Sequence, residues 1–219
     1  MATKTTTAKI TEGKLITLYM DHVLEQEAYP MSIYKFCKLY KVKEEQFYEF
    51  FGSFEALQKR IWDKFFENTI QLLTANKDYS GFNNRDKMLT FFYTFFEVLT
   101  LNRSYVLFAL GNSKKMPEKL EELKGLRTHV KSFAKDLIND ANEGKKIKVS
   151  KKSPQVFSEG AWVQFLFLLK FWMKDSSKGF EKTDVAIEKS VNTIFDVFDS
   201  TPLDSLLDFG KFLYKENFA

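Results

Sequence analysis

The chain has 219 residues, a formal net charge of +4, 44% hydrophobic and 28% charged residues, the balance of a globular protein. That length buries a core without help from disulfides or metals. A single cysteine, Cys37, excludes an internal disulfide framework, and two histidines leave little for a zinc site. Phe is abundant (24 residues) while Gly (9) and Pro (4) are scarce, which points to long helices with aromatic packing and away from all-β architectures.

Apolar residues recur at the spacing of amphipathic helices along most of the chain. The spacing predicts a helix over residues 12–26, with Leu15, Ile16, Tyr19 and Val23 on one side. A short helix over 32–40 follows Pro30, with Ser32 placed to cap it. A second short helix over 44–51 ends at Gly52-Ser53, and a longer one over 54–74 carries Leu57, Ile61, Phe65 and Ile70. Residues 76–84, rich in Asn, Gly, Ser and Asp, read as a loop. Helices over 85–100 and 103–110 come next, closed by Gly111-Asn112-Ser113. Pro117 opens a helix whose apolar stripe runs through Leu120, Leu123, Val130, Phe133, Leu137 and Ala141 to Gly144. A lysine-rich loop over 145–152 precedes a helix opened by Pro154 that is apolar nearly all round. A helix over 183–198 and a last one after Pro202 complete an all-α chain.

The most apolar stretches, 88–101 and 161–173, fall short of the roughly 18–20 apolar residues that span a bilayer. The opening residues lack the apolar core of a secretory signal, so a cytoplasmic protein is expected. No GxSxG, P-loop, GxGxxG, HExxH or paired-cysteine spacing is present, so no catalytic residue, metal site or cofactor is expected.

The first three helices, tightly connected at Lys41-Val42-Lys43, follow the pattern of a helix-turn-helix, which lays its second short helix in the DNA major groove. The apolar stripe Leu15, Ile16, Tyr19 and Val23, the polar Ser32, the pair Phe36-Cys37, the turn residue Val42, the aromatic run Phe47-Tyr48-Glu49-Phe50-Phe51, and Ser53, Glu55 and Leu57 fall in one ungapped order. That order resembles the N-terminal domain of TetR-family transcriptional regulators. The resemblance implies a DNA-binding head over residues 1–57 and a helical effector-binding and dimerisation body over 58–219. In that frame Ser32, Lys35, Lys38, Lys43, Gln46 and Tyr48 are the candidate DNA contacts, with double-stranded DNA as partner.

The departures from the family pattern fall where DNA is touched. Lys41 stands for the turn glycine, Lys43 for the serine that caps the recognition helix, and Phe54 for a lysine near a phosphate. Residues 44–51 hold Glu44, Glu45 and Glu49 and no cation, although affinity for DNA comes largely from cations on phosphates. Lys35, Lys38, Lys41 and Lys43, with Lys4, Lys9 and Lys14 in the N-terminal arm, supply charge beside that stretch. A chain of this fold that has lost operator binding and holds a lipid-like ligand or a protein partner is the alternative.

In the second half, Tyr93, Glu97, Arg103, Phe108, His129, Phe133, Trp162 and Phe165 are candidate lining of a cavity for a hydrophobic small-molecule effector. The same pattern also fits a filled aromatic core, with Glu97 on a solvated stripe shared by Lys87, Thr90, Thr94, Thr100 and Ser104. The apolar helix after Pro154 and the helix that follows it need partners on more than one face. The family pairs its last helices across a two-fold axis, so a homodimer through Trp172, Val191, Ile194 and Phe198 is expected.

Overall fold

The computed structural model describes residues 10–111, 115–143 and 153–200, with only the backbone at 116, 141–143 and 198–200. The regular structure among these residues is helical. It runs α1 (Glu12–Gln26), α2 (Ile33–Leu39), α3 (Glu44–Tyr48), α4 (Phe54–Ala75), α5 (Asn84–Leu101), α6 (Arg103–Ala109), α7 (Met116–Glu122), α8 (Lys124–Glu143), α9 (Pro154–Lys174) and α10 (Glu181–Ser200). Single 3-10 turns lie at Tyr79–Gly81 and Lys178–Phe180. The lysine-rich loop over 145–152 and the helix expected after Pro202 lie outside the described residues.

Side-chain oxygens fix where the helices begin. Thr11, Ser32, Ser53, Asn83 and Ser153 each accept the backbone N–H three residues on, opening α1, α2, α4, α5 and α9. The stretch from Pro117 to Gly144, read above as one helix, breaks at Leu123 into α7 and α8. The break lets Glu122 and Leu123 both turn inward, where each is nearly inaccessible to solvent. It also brings α8 close to α4, so that a Cβ at Gly125 would lie 2.7 Å from Asp63 Oδ1 and would push that carboxylate aside.

Helices α1–α3 and the start of α4 enclose a small aromatic core. Phe36 meets Phe54 at 5.6 Å and Phe47 at 6.3 Å, and Phe47 meets Phe54 at 5.5 Å between ring centres. Each fully buried ring contributes about 1.5–3 kcal/mol of burial free energy. Helix α4 then continues unbroken through residues 57 and 58 and packs on α5, α7 and α8. Helices α8, α9, α10 and α5 form the body, and α6 lies against α1. The body core is a run of rings: Phe133 stacks on Phe91 at 4.4 Å, Phe95 meets Phe165 at 5.3 Å, and Phe165 stacks on Trp162 at 5.3 Å.

Candidate functional site

The α2–α3 connection follows the hydrogen-bond pattern of a Schellman motif. Val42 N–H donates to Cys37 O at 2.9 Å and Lys41 N–H to Lys38 O at 3.4 Å. Lys41 occupies the left-handed position of that motif at φ +56, where glycine is ordinarily found. Lysine here takes a turn conformation that glycine adopts without strain.

At the start of α3, Lys43 has no acceptor to offer. Gln46 supplies the bond instead, its Oε1 accepting the Lys43 N–H at 3.2 Å. That bond turns the Gln46 amide oxygen back onto the start of its own helix. Ser32 is likewise occupied, accepting the Lys35 N–H at 3.3 Å. The remaining candidate contacts are presented to solvent: Lys35, Lys38 and Lys43 are exposed, and Tyr48 is 52% exposed. Tyr34, unremarked in the sequence, is 58% exposed on the face of Lys38, whose ammonium lies 5.8 Å from the ring centre. Its signal was its i, i+4 spacing from Lys38. Phe54, at the position where a lysine was expected, closes the aromatic core of the head.

The eight candidate ligand residues do not form one site. Phe133, Trp162 and Phe165 belong to the run of packed rings. His129 stacks on Phe66 at 4.9 Å, and its Nε2 lies 3.1 Å from Asp63 Oδ1, tying α8 to α4. Glu97 is exposed, as a solvated stripe requires. The Tyr93 hydroxyl donates to the Asp184 carbonyl at 3.4 Å. Arg103 is a structural clamp, its guanidinium 4.4 Å from both the Trp172 and Phe180 rings. It donates to the carbonyls of Trp172 (3.0 Å), Met173 (3.3 Å) and Asp175 (3.1 Å), the unsatisfied end of α9. Burial lowers its pKa, with the Asp175 charge acting the other way. Phe108 lies apart, in an open groove of about 610 Å³ shared with Val23, Leu24, Glu27 and Ser104.

A family model described as a Tetracyclin repressor-like C-terminal domain matches residues 87–213, more than half of the chain. The chain belongs to the TetR family. No curated protein and no solved structure matches it. Because the matched span begins inside α5, the helix-turn-helix of this TetR-family chain stands on its own residues and geometry.

The dimer residues require correction on burial. Trp172 and Val191 are fully buried within the subunit, the first under Arg103 and the second in the common core, so neither offers surface to a second copy. Ile194 is half-buried, and the Phe198 side chain lies outside the described residues. The exposed apolar area on these helices comes instead from Phe167 on α9, 53% exposed and paired with Phe171, and from Val185 on α10, 47% exposed. Among the described residues no helix is long and apolar enough to cross a membrane, and no cluster of His, Cys, Asp and Glu is arranged to hold a metal ion.

Proposed function

We propose that this chain is a DNA-binding TetR-family transcriptional regulator that works in the cytoplasm as a homodimer and responds to a hydrophobic small molecule. Residues 1–57 form the head and 58–219 the body, with α4 shared between them. The observation that carries the reading is the α2–α3 turn, which presents exposed Lys35, Lys38, Lys41, Lys43, Tyr34 and Tyr48 ahead of the family's C-terminal domain. In this reading Lys35 and Lys38 neutralise phosphates, Tyr48 reaches the groove, and Gln46 and Ser32 act indirectly by fixing the ends of α2 and α3. Phe167, Val185 and Ile194 on α9 and α10 support a two-fold contact between subunits. The role is one of binding and release, without an enzymatic step.

Selection of genomic fragments with purified protein, followed by titration of any enriched site at two salt concentrations, tests the reading. Recovery of an inverted repeat bound far more tightly than random DNA is the expected result. Uniformly weak, salt-sensitive binding to every fragment overturns it. That second outcome belongs to the reading favoured by the acidic α3 and by Phe54, in which the fold is kept and operator binding is lost. Light scattering tests the dimer: a particle of twice the 25.7 kDa chain mass is expected, and a monomer overturns it.

A further inference from the structure

The end of α1 violates a rule of helix electrostatics. A helix C-terminus carries partial negative charge and is ordinarily matched by Lys or Arg. The last turns of α1 instead carry Asp21, Glu25 and Glu27, and the final turn holds no basic residue. Directly beside it lies the groove, with Val23 as a buried floor, Leu24 and Phe108 as apolar walls, and Glu27 and Ser104 as polar groups. Tyr29 extends the aromatic wall, packed edge-on to Phe108 at 5.0 Å.

Among the described residues Glu27 makes no ion pair, and two basic side chains of the flanking helices are engaged elsewhere. Arg103, next to Ser104, holds the carbonyls at the end of α9 between two rings. His22 shares a hydrogen bond of 3.2 Å with the Tyr40 hydroxyl, and burial lowers its pKa against the opposing charge of Glu25. The groove thus combines apolar walls with an exposed carboxylate that has no ion pair among the described residues, and at about 610 Å³ it falls within the range of small-molecule sites.

We propose that the groove between α1 and α6 binds a small amphipathic cation, a protonated or quaternary nitrogen on an aromatic or alkyl body. The nitrogen sits by Glu27 and the end of α1, and the body lies on Leu24 and Phe108, where burial of its apolar surface adds to the charge attraction. The site joins α1 of the head to α6 of the body. It deepens the small-molecule part of the proposed function and rests on that reading for its regulatory meaning.

Glu27 also gives a clean variant. Its backbone is left-handed at φ +49, a conformation glycine adopts without strain, so Glu27→Gly removes the carboxylate while relieving the backbone. Benzyltriethylammonium, benzyl alcohol and phenylacetate are titrated into the full chain, followed by calorimetry and backbone NMR. Saturable binding of the cation is expected, with shifts centred on Leu24, Glu27, Ser104 and Phe108. The neutral and anionic probes should bind at least about tenfold more weakly, and Glu27→Gly should lose a similar factor for the cation while its urea midpoint rises. The proposal is overturned by absence of saturable cation binding, by equal binding of benzyl alcohol, by unchanged affinity in Glu27→Gly, or by shifts centred on Phe91 and Phe165. Titrating the cation into a DNA complex separates the two readings. Groove binding with unchanged DNA affinity keeps the site and overturns its role as effector.

Discussion

The indole N–H of Trp62 donates to the carboxylate of Glu122 at 2.9 Å, and both groups are sealed from solvent. The bond joins α4 to α7 at the point where α7 gives way to α8. Its interest lies in the burial, since a polar group left without a partner here loses its hydration with nothing in return.

Glu122→Ala is expected to destabilise the protein by about 1–3 kcal/mol, the cost of an unmade buried hydrogen bond. Glu122→Gln keeps an acceptor for the indole and should cost less than half as much. Urea denaturation of both variants measures the difference, and equal losses would show that packing volume, not the bond, is what matters.

Lys41→Gly is expected to stabilise the head. The lysine holds a left-handed backbone at φ +56, and relief of that strain is worth roughly 1 kcal/mol. The readout is the urea midpoint of the full chain. A fall in stability would show that the lysine side chain supports the turn in a way its backbone does not reveal.

Asp175 makes stability depend on acid pH. Burial pushes its carboxyl up, but hydrogen bonds from the Ser177 and Thr183 side chains and backbone outweigh this and hold it at about 2, below the ordinary 3.8. A depressed folded-state pKa gives stability that is complete above the unfolded value and is lost as pH falls through the folded one. The Asp175 contribution should therefore be complete above about pH 5 and be lost as pH falls from there toward 2. Hydrogen bonds from Arg60 hold Glu12 and Glu67 low against burial and add to the same acid loss. Asp175→Asn should flatten part of that slope in urea titrations across this range.

Lys35→Gln together with Lys38→Gln tests the phosphate contacts. Each lost contact removes about 0.9 from the slope of log affinity against log salt, so the pair should lower it by roughly 2. Fluorescence anisotropy on an enriched site at several salt concentrations gives the slope. An unchanged slope would place the phosphates elsewhere on the head.

Much of the fold was legible because capping oxygens and apolar spacing act locally. Thr11, Ser32 and Ser53 mark helix starts by chemistry that any neighbour can read. The break at Leu123 was not legible, since the stripe Leu120, Leu123, Val130 continues in phase across it and the partners that α7 and α8 meet on α4 lie some 60 residues away in sequence. The site was legible in part. Charge placed Lys35 and Lys38 on the surface, but no sequence pattern shows that Gln46 turns back to cap its own helix. Arg103 and Trp172 were misplaced for the same reason: an arginine and an indole beside apolar residues look alike whether they line a cavity, face a partner or clamp a helix end 69 residues away.

Helix α4 has 22 residues and crosses from the head into the body without a break, a rod of about 33 Å. Its early turns sit in the aromatic core of the head, while Trp62 and Asp63, further along, are tied to Glu122 and His129. Such a rod transmits rotation without bending. A tilt of roughly 5° about those ties shifts Phe54, about 12 Å away, by about 1 Å, and the far end of the helix by less than about 2 Å. Small repacking around α7 and α8 is thus converted into displacement of the head, and the sensitivity is set by how far the ties lie from Phe54.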